Sequence, residues 1–456
     1  MDIQDIVSRQ RDYFKTGATI PVEFRCKKLR QLREAIQRHE ADIVAALQAD
    51  LGKSFQESYM CEIGLTLSEL SYQLAHVRGW ARPHRVCADL ANFHSKYFTV
   101  AEPYGVTLVM SPWNYPFMLA MEPLIGAIAA GNCCVVKPSA YSPATSEAIA
   151  QVVKEVFDPG HVDVVLGGRA ENTQLLEQRW DYIFFTGSVA VGRTVMEKAS
   201  ANLTPVTLEL GGKSPCVVTK DANVRRAASR IAFGKFLNLG QTCVAPDYVL
   251  VDALVKDRFV AELRREVATM YGANAFENPN YGHMINQKHF DRVMGLIDSK
   301  KVVYGGKGNA ETLQIEPTIM VDVNAEDPVM QEEIFGPVLP ILTYTTIKEA
   351  QDFITSREKP LALYLFSNDR ATQQRFLRYV PFGGGCINDT VVHLATSRMA
   401  FGGVGASGMG SYHGKHSFET FSHTKSILQK YNYLDLPFRN QPYKDWKLQA
   451  IKLFLG

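Results

Sequence analysis

Net charge is nearly absent from this 456-residue chain: 49 lysines and arginines face 47 acidic residues, leaving a formal +2 at pH 7. With no basic run and no interleaved aromatic patch, nothing in the sequence recruits nucleic acid or an anionic membrane surface. Long hydrophobic runs are missing too. No apolar stretch reaches the roughly 18 residues that a membrane span requires, so no transmembrane span is expected. The polar amino terminus reads as a helix start, not as a signal peptide. The eight cysteines include no C-x-x-C pair and no regular spacing, which argues against a disulfide scaffold and for reduced thiols in a cytoplasmic enzyme. No H-E-x-x-H or comparable ligand spacing occurs, so no metal is expected. Tandem repeats and low-complexity linkers are also lacking, and organisation must come from packed domains.

The length exceeds what one compact core supports, which predicts two large domains with smaller attachments. Within residues 22–51, Leu29, Leu32, Ile36, Ile43 and Leu47 fall on one helical face. A second amphipathic helix is expected from about residue 56 to 79, ended by Trp80-Ala81-Arg82-Pro83, and residues 97–100 read as an exposed strand leaving the first domain. From residue 105 the texture changes. Residues 105–110, 133–136, 162–166 and 182–185 read as buried strands, with helices at 117–130, 143–157 and 189–199 between them. Such alternation implies a parallel sheet covered on both faces, which binds ligands at the carboxyl ends of its strands. A second series repeats it with strands 215–219 and 248–251, helices 223–237 and 255–269, and further units to about residue 366. The fold class is therefore α/β, with a domain boundary near residue 209, and the Gly-rich region 383–414 reads as irregular.

One thiol stands out. Cys243 lies in Gly240-Gln241-Thr242-Cys243-Val244-Ala245-Pro246, whose small and polar residues suggest an exposed loop. A thiolate there would be a strong nucleophile, with a pKa lowered near a helix start or positive groups. Cys133, Cys134 and Cys216 instead sit in apolar runs and read as buried small hydrophobes. Glu209, ending an apolar strand before Gly211-Gly212, would be partly desolvated, and burial raises a carboxyl toward the neutral pKa of a general base. Asn114, in Pro112-Trp113-Asn114-Tyr115-Pro116, can donate to a developing oxyanion, with the Cys243 backbone N–H as second donor. Taken singly, each has a plain alternative: a loop thiol, a solvated strand-end glutamate, a turn asparagine.

Cofactor signals divide. The literal G-x-G-x-x-G, residues 403–408, neither follows a clear strand nor opens a helix, so it is rejected as a dinucleotide fingerprint. Phe184-Phe185-Thr186-Gly187-Ser188-Val189-Ala190-Val191-Gly192 is the better candidate. It leaves a strand, turns at Gly187 and enters a helix whose N-terminus can face a pyrophosphate. Lys137, at the end of strand 133–136, can reach ribose hydroxyls or be an ordinary solvated lysine.

With these residues assembled, the chain resembles the aldehyde dehydrogenases, and in length and start their class 3 branch. The likeness covers nearly the whole chain. It rests on Pro112-Trp113-Asn114-Tyr115-Pro116, Val136-Lys137-Pro138-Ser139, Phe185-Thr186-Gly187-Ser188, Leu208-Glu209-Leu210-Gly211-Gly212-Lys213, Gly240-Gln241-Thr242-Cys243 and Glu332-Glu333-Ile334-Phe335-Gly336-Pro337. The resemblance implies NAD(P)-dependent oxidation of an aldehyde to an acid, on two Rossmann-like domains joined by a small oligomerisation sheet, in a homodimer. It apportions residues 1–85 and 105–208 to a cofactor domain, 209–395 to a catalytic domain, 86–104 and 396–430 to bridging segments, and 431–456 to a tail. By motif position, Cys243 becomes the nucleophile, Glu209 the base for the hydrolytic water and Asn114 the oxyanion donor. Lys137 and Glu333 become ribose ligands, Phe335 a neighbour of the nicotinamide, and Gly187, Ser188 and Gly192 part of the phosphate-facing turn.

One departure from the family pattern bears on the cofactor. NAD-preferring relatives often carry a glutamate just after Lys-Pro-Ser; here that position is Ala140. Its loss removes both ribose hydrogen bonds and repulsion of a 2′-phosphate, so use of both NAD and NADP is expected. Tyr115, Phe233, Leu237 and Phe401 flank the motifs and are expected to line an apolar tunnel for medium-chain aliphatic or aromatic aldehydes, though each also suits ordinary core packing. In the tail, Trp446, Leu448, Ile451 and Leu455 suit one amphipathic face, expected to pack on a dimer mate or over the tunnel mouth. The rival readings are a coenzyme A-acylating dehydrogenase, disfavoured by Glu209, and a catalytically silent binding protein, disfavoured by Cys243, Glu209 and Asn114 occurring together.

Overall fold

The computed structural model describes residues 2–88, 92, 94–434 and 436–455. Among them, Val22–Arg38 and Glu40–Leu51 form two helices where the sequence reads as one continuous apolar face. The break falls at His39 (φ −92°, ψ 12°), whose ring nitrogens bond Asp42 and Glu155. Leu29, Leu32, Ile36, Ile43 and Leu47 all remain fully buried, so the apolar stripe survives the kink. Gly52, at φ +67°, ends the second helix in the left-handed conformation that only glycine adopts without strain.

The first sheet has six strands, in the order Gly408–Met409, Val206–Glu209, Tyr182–Thr186, Val106–Met110, Cys133–Lys137, Val162–Val164. All neighbours are parallel except Gly408–Met409, which pairs antiparallel with Val206–Glu209. After Val106–Met110 the chain builds outward on one side, then returns to place Tyr182–Thr186 on the other. That reversal opens a crevice beyond the carboxyl ends of these two strands. Helix Met118–Ala130, buried on every face, fills the space between the sheet and the amino-terminal helices, which explains its lack of amphipathic pattern.

The second sheet has seven strands, Val302–Tyr304, Thr318–Met320, Val338–Tyr344, Tyr248–Asp252, Pro215–Val218, Ala362–Phe366 and Gly384–Ile387, with Val302–Tyr304 antiparallel at one edge. Two parallel sheets of this kind are the α/β class expected from the alternation. A separate antiparallel sheet joins His84–Val86, Ser95–Pro103 and Ser422–Lys430. The segment 396–430 therefore serves two sheets, one through Gly408–Met409 and one through Ser422–Lys430. Strand Ser95–Pro103 is half-buried where an exposed strand was expected.

The tail forms helix Asp445–Leu455, on which Trp446, Leu448 and Leu455 are exposed and Ile451 is half-buried. Among the described residues, no helix is long and apolar enough to cross a membrane, and no group of three or more His, Cys, Asp or Glu side chains could hold a metal ion.

Candidate active site

Cys243 reaches the site from the second domain. Helix Val224–Phe236 ends in a short turn, Leu237–Gly240, before strand Tyr248–Asp252 begins. Asn238, Leu239 and Gly240 are consecutively left-handed, at φ 50°, 50° and 69°. For the two residues carrying a Cβ this costs roughly 1–3 kcal/mol each, strain of the kind concentrated at functional loops. A Cβ on Gly240 would collide with the Gly336 carbonyl, so this turn docks directly on the Glu332–Pro337 motif. Phe335 there is also left-handed, at φ 46°, and meets Trp113 edge-on at 5.3 Å.

The first domain supplies the facing loops from the crevice beyond its strands. The segment after Val106–Met110 carries Trp113 and Asn114, and the one after Tyr182–Thr186 carries Gly187 and Ser188. Together with Glu209, Cys243, Glu333 and Phe335 they line a cavity of about 610 Å³. A second cavity, of about 160 Å³ and almost wholly apolar, lies on the other side of Cys243; Tyr115, Phe233, Leu237 and Phe401 all line it. Cys243 belongs to both. Its remaining exposure opens into these two spaces, and the exposed loop read from the sequence is corrected to a half-buried junction.

That placement also reverses the electrostatic expectation. Burial, and then Glu333 and Glu209, push the Cys243 thiol up to about 12, against hydrogen bonds to sulfur from the Cys243 and Val244 amides. A raised thiol pKa means the thiolate fraction grows about tenfold per pH unit up to that value. Alkylation of Cys243 by iodoacetamide in the cofactor-free protein should therefore keep accelerating above pH 9; a plateau near pH 7 would show an activated resting thiolate instead.

Glu209 is 2% exposed, and among the described residues neither of its carboxylate oxygens has a hydrogen-bond partner. Burial alone raises its pKa well above the ordinary carboxylate value. Its strand is held from the outer side by the rejected glycine motif: Gly408 pairs with Glu209, Leu210 N donates to Ser407 O at 3.1 Å, and a Cβ on Gly408 would strike the Leu208 carbonyl. Those glycines permit close backbone contact beside the candidate base.

Asn114 is 3% exposed, lines the larger cavity and donates through Nδ2 to Gln241 O at 2.9 Å; an amide nitrogen carries a second proton. Glu333 lies on the Gly211-Gly212 backbone so closely that a Cβ on Gly211 would overlap its carboxylate. Burial and Asp247 raise Glu333 to about 8, against a Gly212 N–H bond, Lys213 and Arg292. Lys137 is 3% exposed and donates to Pro138 O at 2.6 Å; burial lowers it to about 8. Gly192 does not face the cleft. Its α-carbon packs on Leu210, where a Cβ would come within 2.6 Å of the leucine side chain.

A nicotinamide dinucleotide fits this architecture on the chain's own features. Ser188 caps helix Val189–Ser200, which opens onto the 610 Å³ cavity. Gly187 is required by packing, since a Cβ would meet the Phe185 ring at 2.5 Å; its turn lines the cavity, and among the described residues the buried Thr186 hydroxyl has no partner. Sequence reasoning missed several neighbours: His289, 5.0 Å from Trp113; Arg292, which donates to Glu333 O and Ile334 O; and Asn238, whose amide bonds Asn114 O. No local signal marks them, because each acquires its contact from a distant loop.

Residues 1–427 match the aldehyde dehydrogenase family. The chain belongs to that family. It is 46% identical over 444 residues to 4,4'-diaponeurosporen-aldehyde dehydrogenase of Staphylococcus aureus, covering 97% of this chain and 96% of the relative. It is 45% identical over 426 residues to the dimeric NADP-preferring aldehyde dehydrogenase of Canis lupus familiaris, covering 93% and 94%. Among solved structures, the substrate-bound state of Staphylococcus aureus AldH superposes with a TM-score of 0.98 at 45% identity, covering 100% of this chain and 99% of that one. This aldehyde dehydrogenase is thus an oxidoreductase acting on aldehydes, and the class 3 resemblance read from the motifs stands.

Proposed function

We propose that the enzyme oxidises apolar, medium-chain aliphatic or aromatic aldehydes to carboxylic acids with NAD or NADP, through a thioester on Cys243. The observation that carries this reading is the position of Cys243 between an apolar cavity and a larger cleft holding the candidate base, oxyanion donor and ribose ligand. The 160 Å³ cavity presents the aldehyde carbonyl to sulfur, and its apolar wall selects hydrocarbon over polar tails. As the C–S bond forms, the thiol proton passes to Glu209, which burial makes a stronger base than a solvated glutamate. The second amide proton of Asn114 holds the resulting oxyanion. A nicotinamide dinucleotide bound in the larger cleft, with Lys137 and Glu333 on its riboses, supplies the hydride acceptor. Once Glu209 has released the thiol proton to solvent, it takes a proton from water, whose oxygen attacks the thioester; the C–S bond breaks, the acid leaves and the Glu209 proton returns to the Cys243 sulfur.

Ala140 is exposed and presents no carboxylate to a 2′-phosphate, which supports use of both cofactors. We place the enzyme in the cytoplasm as a homodimer; the dimer is supported by the name of the dog relative, which is called dimeric. The test is NAD(P)H formation across an aldehyde panel with each cofactor, with and without coenzyme A. Apolar aldehydes should turn over without coenzyme A, and kcat/KM for the two cofactors should differ by no more than about tenfold, roughly 1.4 kcal/mol. A strict coenzyme A requirement would overturn the hydrolytic route, and a strong NAD preference would overturn the inference from Ala140.

A further inference from the structure

We propose that Lys53, paired with Glu62, is a positioning residue that sets where Asn114 presents its amide beside Cys243. The inference rests on the reading of Asn114 as oxyanion donor and goes one layer behind it.

Lys53 is 1% exposed and Glu62 fully buried, and neither lines the two cavities around Cys243. Burying an ammonium and a carboxylate is costly unless both complete their hydrogen bonds. Here both do. Lys53 Nζ donates to Glu62 Oε1 and, at 2.8 Å, to the main-chain carbonyl of Asn114, while standing 4.0 Å from the centre of the Tyr115 ring. The other carboxylate oxygen, Glu62 Oε2, accepts from Phe117 N at 2.8 Å and Met118 N at 3.2 Å. Those amides open helix Met118–Ala130, which has no side-chain cap of its own. A carboxylate at a helix start is also favoured by the helix dipole.

The pair thus grips both ends of the turn from Asn114 to Met118. Its ammonium holds the carbonyl at one end, and its carboxylate holds the amides at the other. Glu62 can reach inward because it lies in a π-helical turn, Tyr59–Ile63, whose neighbours Met60 and Cys61 form part of the apolar cavity wall.

On its far side the same turn is tied to the nucleophile's loop. Asn238 Nδ2 donates to Asn114 O at 2.8 Å, Asn114 Nδ2 donates to Gln241 O at 2.9 Å, and the Tyr115 and Thr242 hydroxyls lie 2.7 Å apart. Asn114 therefore sits between a buried ion pair and the loop that carries Cys243. Its carbonyl is shared by Lys53 and Asn238, which fixes the peptide from which the side chain projects. An oxyanion donor works only at the right distance, and a displacement near 1 Å can cost about a hundredfold in rate.

The test uses the full-length enzyme with NADP and octanal, and measures NADPH formation in a single turnover. Four proteins are compared: wild type, the neutralised pair Lys53→Met/Glu62→Gln, Asn114→Ala, and all three changes together. Neutralising both charges leaves neither partner of the pair as a lone buried ion, although Glu57 beside them also loses the Lys53 charge. The neutralised pair should slow the single turnover by about 10- to 100-fold while the octanal KM moves by less than about threefold. Iodoacetamide alkylation of Cys243, which forms no oxyanion, should stay within about twofold of wild type.

In the Asn114→Ala background the same pair of changes should cost no more than about twofold, because both act through one amide. A full additional loss on top of Asn114→Ala, or no loss in the neutralised pair, would overturn the proposal while leaving Asn114 as oxyanion donor. An unchanged rate in Asn114→Ala alone would overturn that reading of Asn114 and the proposal with it. Should the neutralised pair fail to fold, Lys53→Arg, which keeps both buried charges but moves the donor, carries the same comparison, with a smaller loss expected and the same lack of additivity decisive.

Discussion

Cys243→Ala is expected to abolish aldehyde-dependent NAD(P)H formation, a loss on the order of 10⁴-fold or more, while cofactor binding survives. The separation follows from where the side chain sits. Cys243 lies where the apolar cavity and the larger cleft meet, whereas the proposed dinucleotide contacts are the Gly187-Ser188 turn and Glu333, which line the cleft, and Lys137, which lines neither cavity. Removing one thiol leaves that surface intact. Nor can another cysteine substitute. Cys61 also faces the apolar cavity, but it is 8% exposed and does not line the cleft that holds Glu209 and Asn114. Cofactor titration of the variant, followed by turnover assays, checks both halves. Retained turnover would overturn the nucleophile assignment.

Glu209→Gln should give a different phenotype: a burst of NAD(P)H followed by slow turnover, with acyl-enzyme accumulating on Cys243. A general base contributes about 10²- to 10⁴-fold, and hydrolysis of the thioester loses that contribution while acylation is slowed less. The variant should fold, because among the described residues neither carboxylate oxygen has a hydrogen-bond partner and glutamine keeps the shape. The pH dependence has a definite sign. Burial raises the Glu209 carboxyl, so it holds its proton to higher pH than a solvated glutamate, and wild-type deacylation should rise with pH as that proton is lost. The variant should lose this rise. Intact-mass measurement with aldehyde and cofactor tests the assignment; no adduct under burst conditions would exclude Glu209 as the hydrolytic base.

Much of the architecture was legible in the chain. Strand 133–136 and helix 143–157 differ by one residue from the observed Cys133–Lys137 and Pro143–Val156, because short apolar strands between amphipathic helices are local patterns. The His39 break was not legible, since the apolar positions keep helical spacing across it. Gly192 was assigned to the cofactor from its place in the turn, whereas the helix rotates its α-carbon onto Leu210. The Gly403–Gly408 segment was rejected as a dinucleotide loop; its contact with the Glu209 strand comes from a pairing some 200 residues apart in the chain, which carries no periodic signal.

The sequence alone determined the α/β class and the family resemblance, and it singled out the candidates for nucleophile, base and oxyanion donor. Side-chain chemistry and short-range pattern suffice for those. Only the tertiary structure decided how these groups are tuned and held. It set the Cys243 thiol high instead of low, left Glu209 without a hydrogen bond among the described residues, and brought Lys53 and Glu62 behind Asn114. A pKa and a position are set by whatever packs around a group, and at this site the packing comes from segments far apart along the chain.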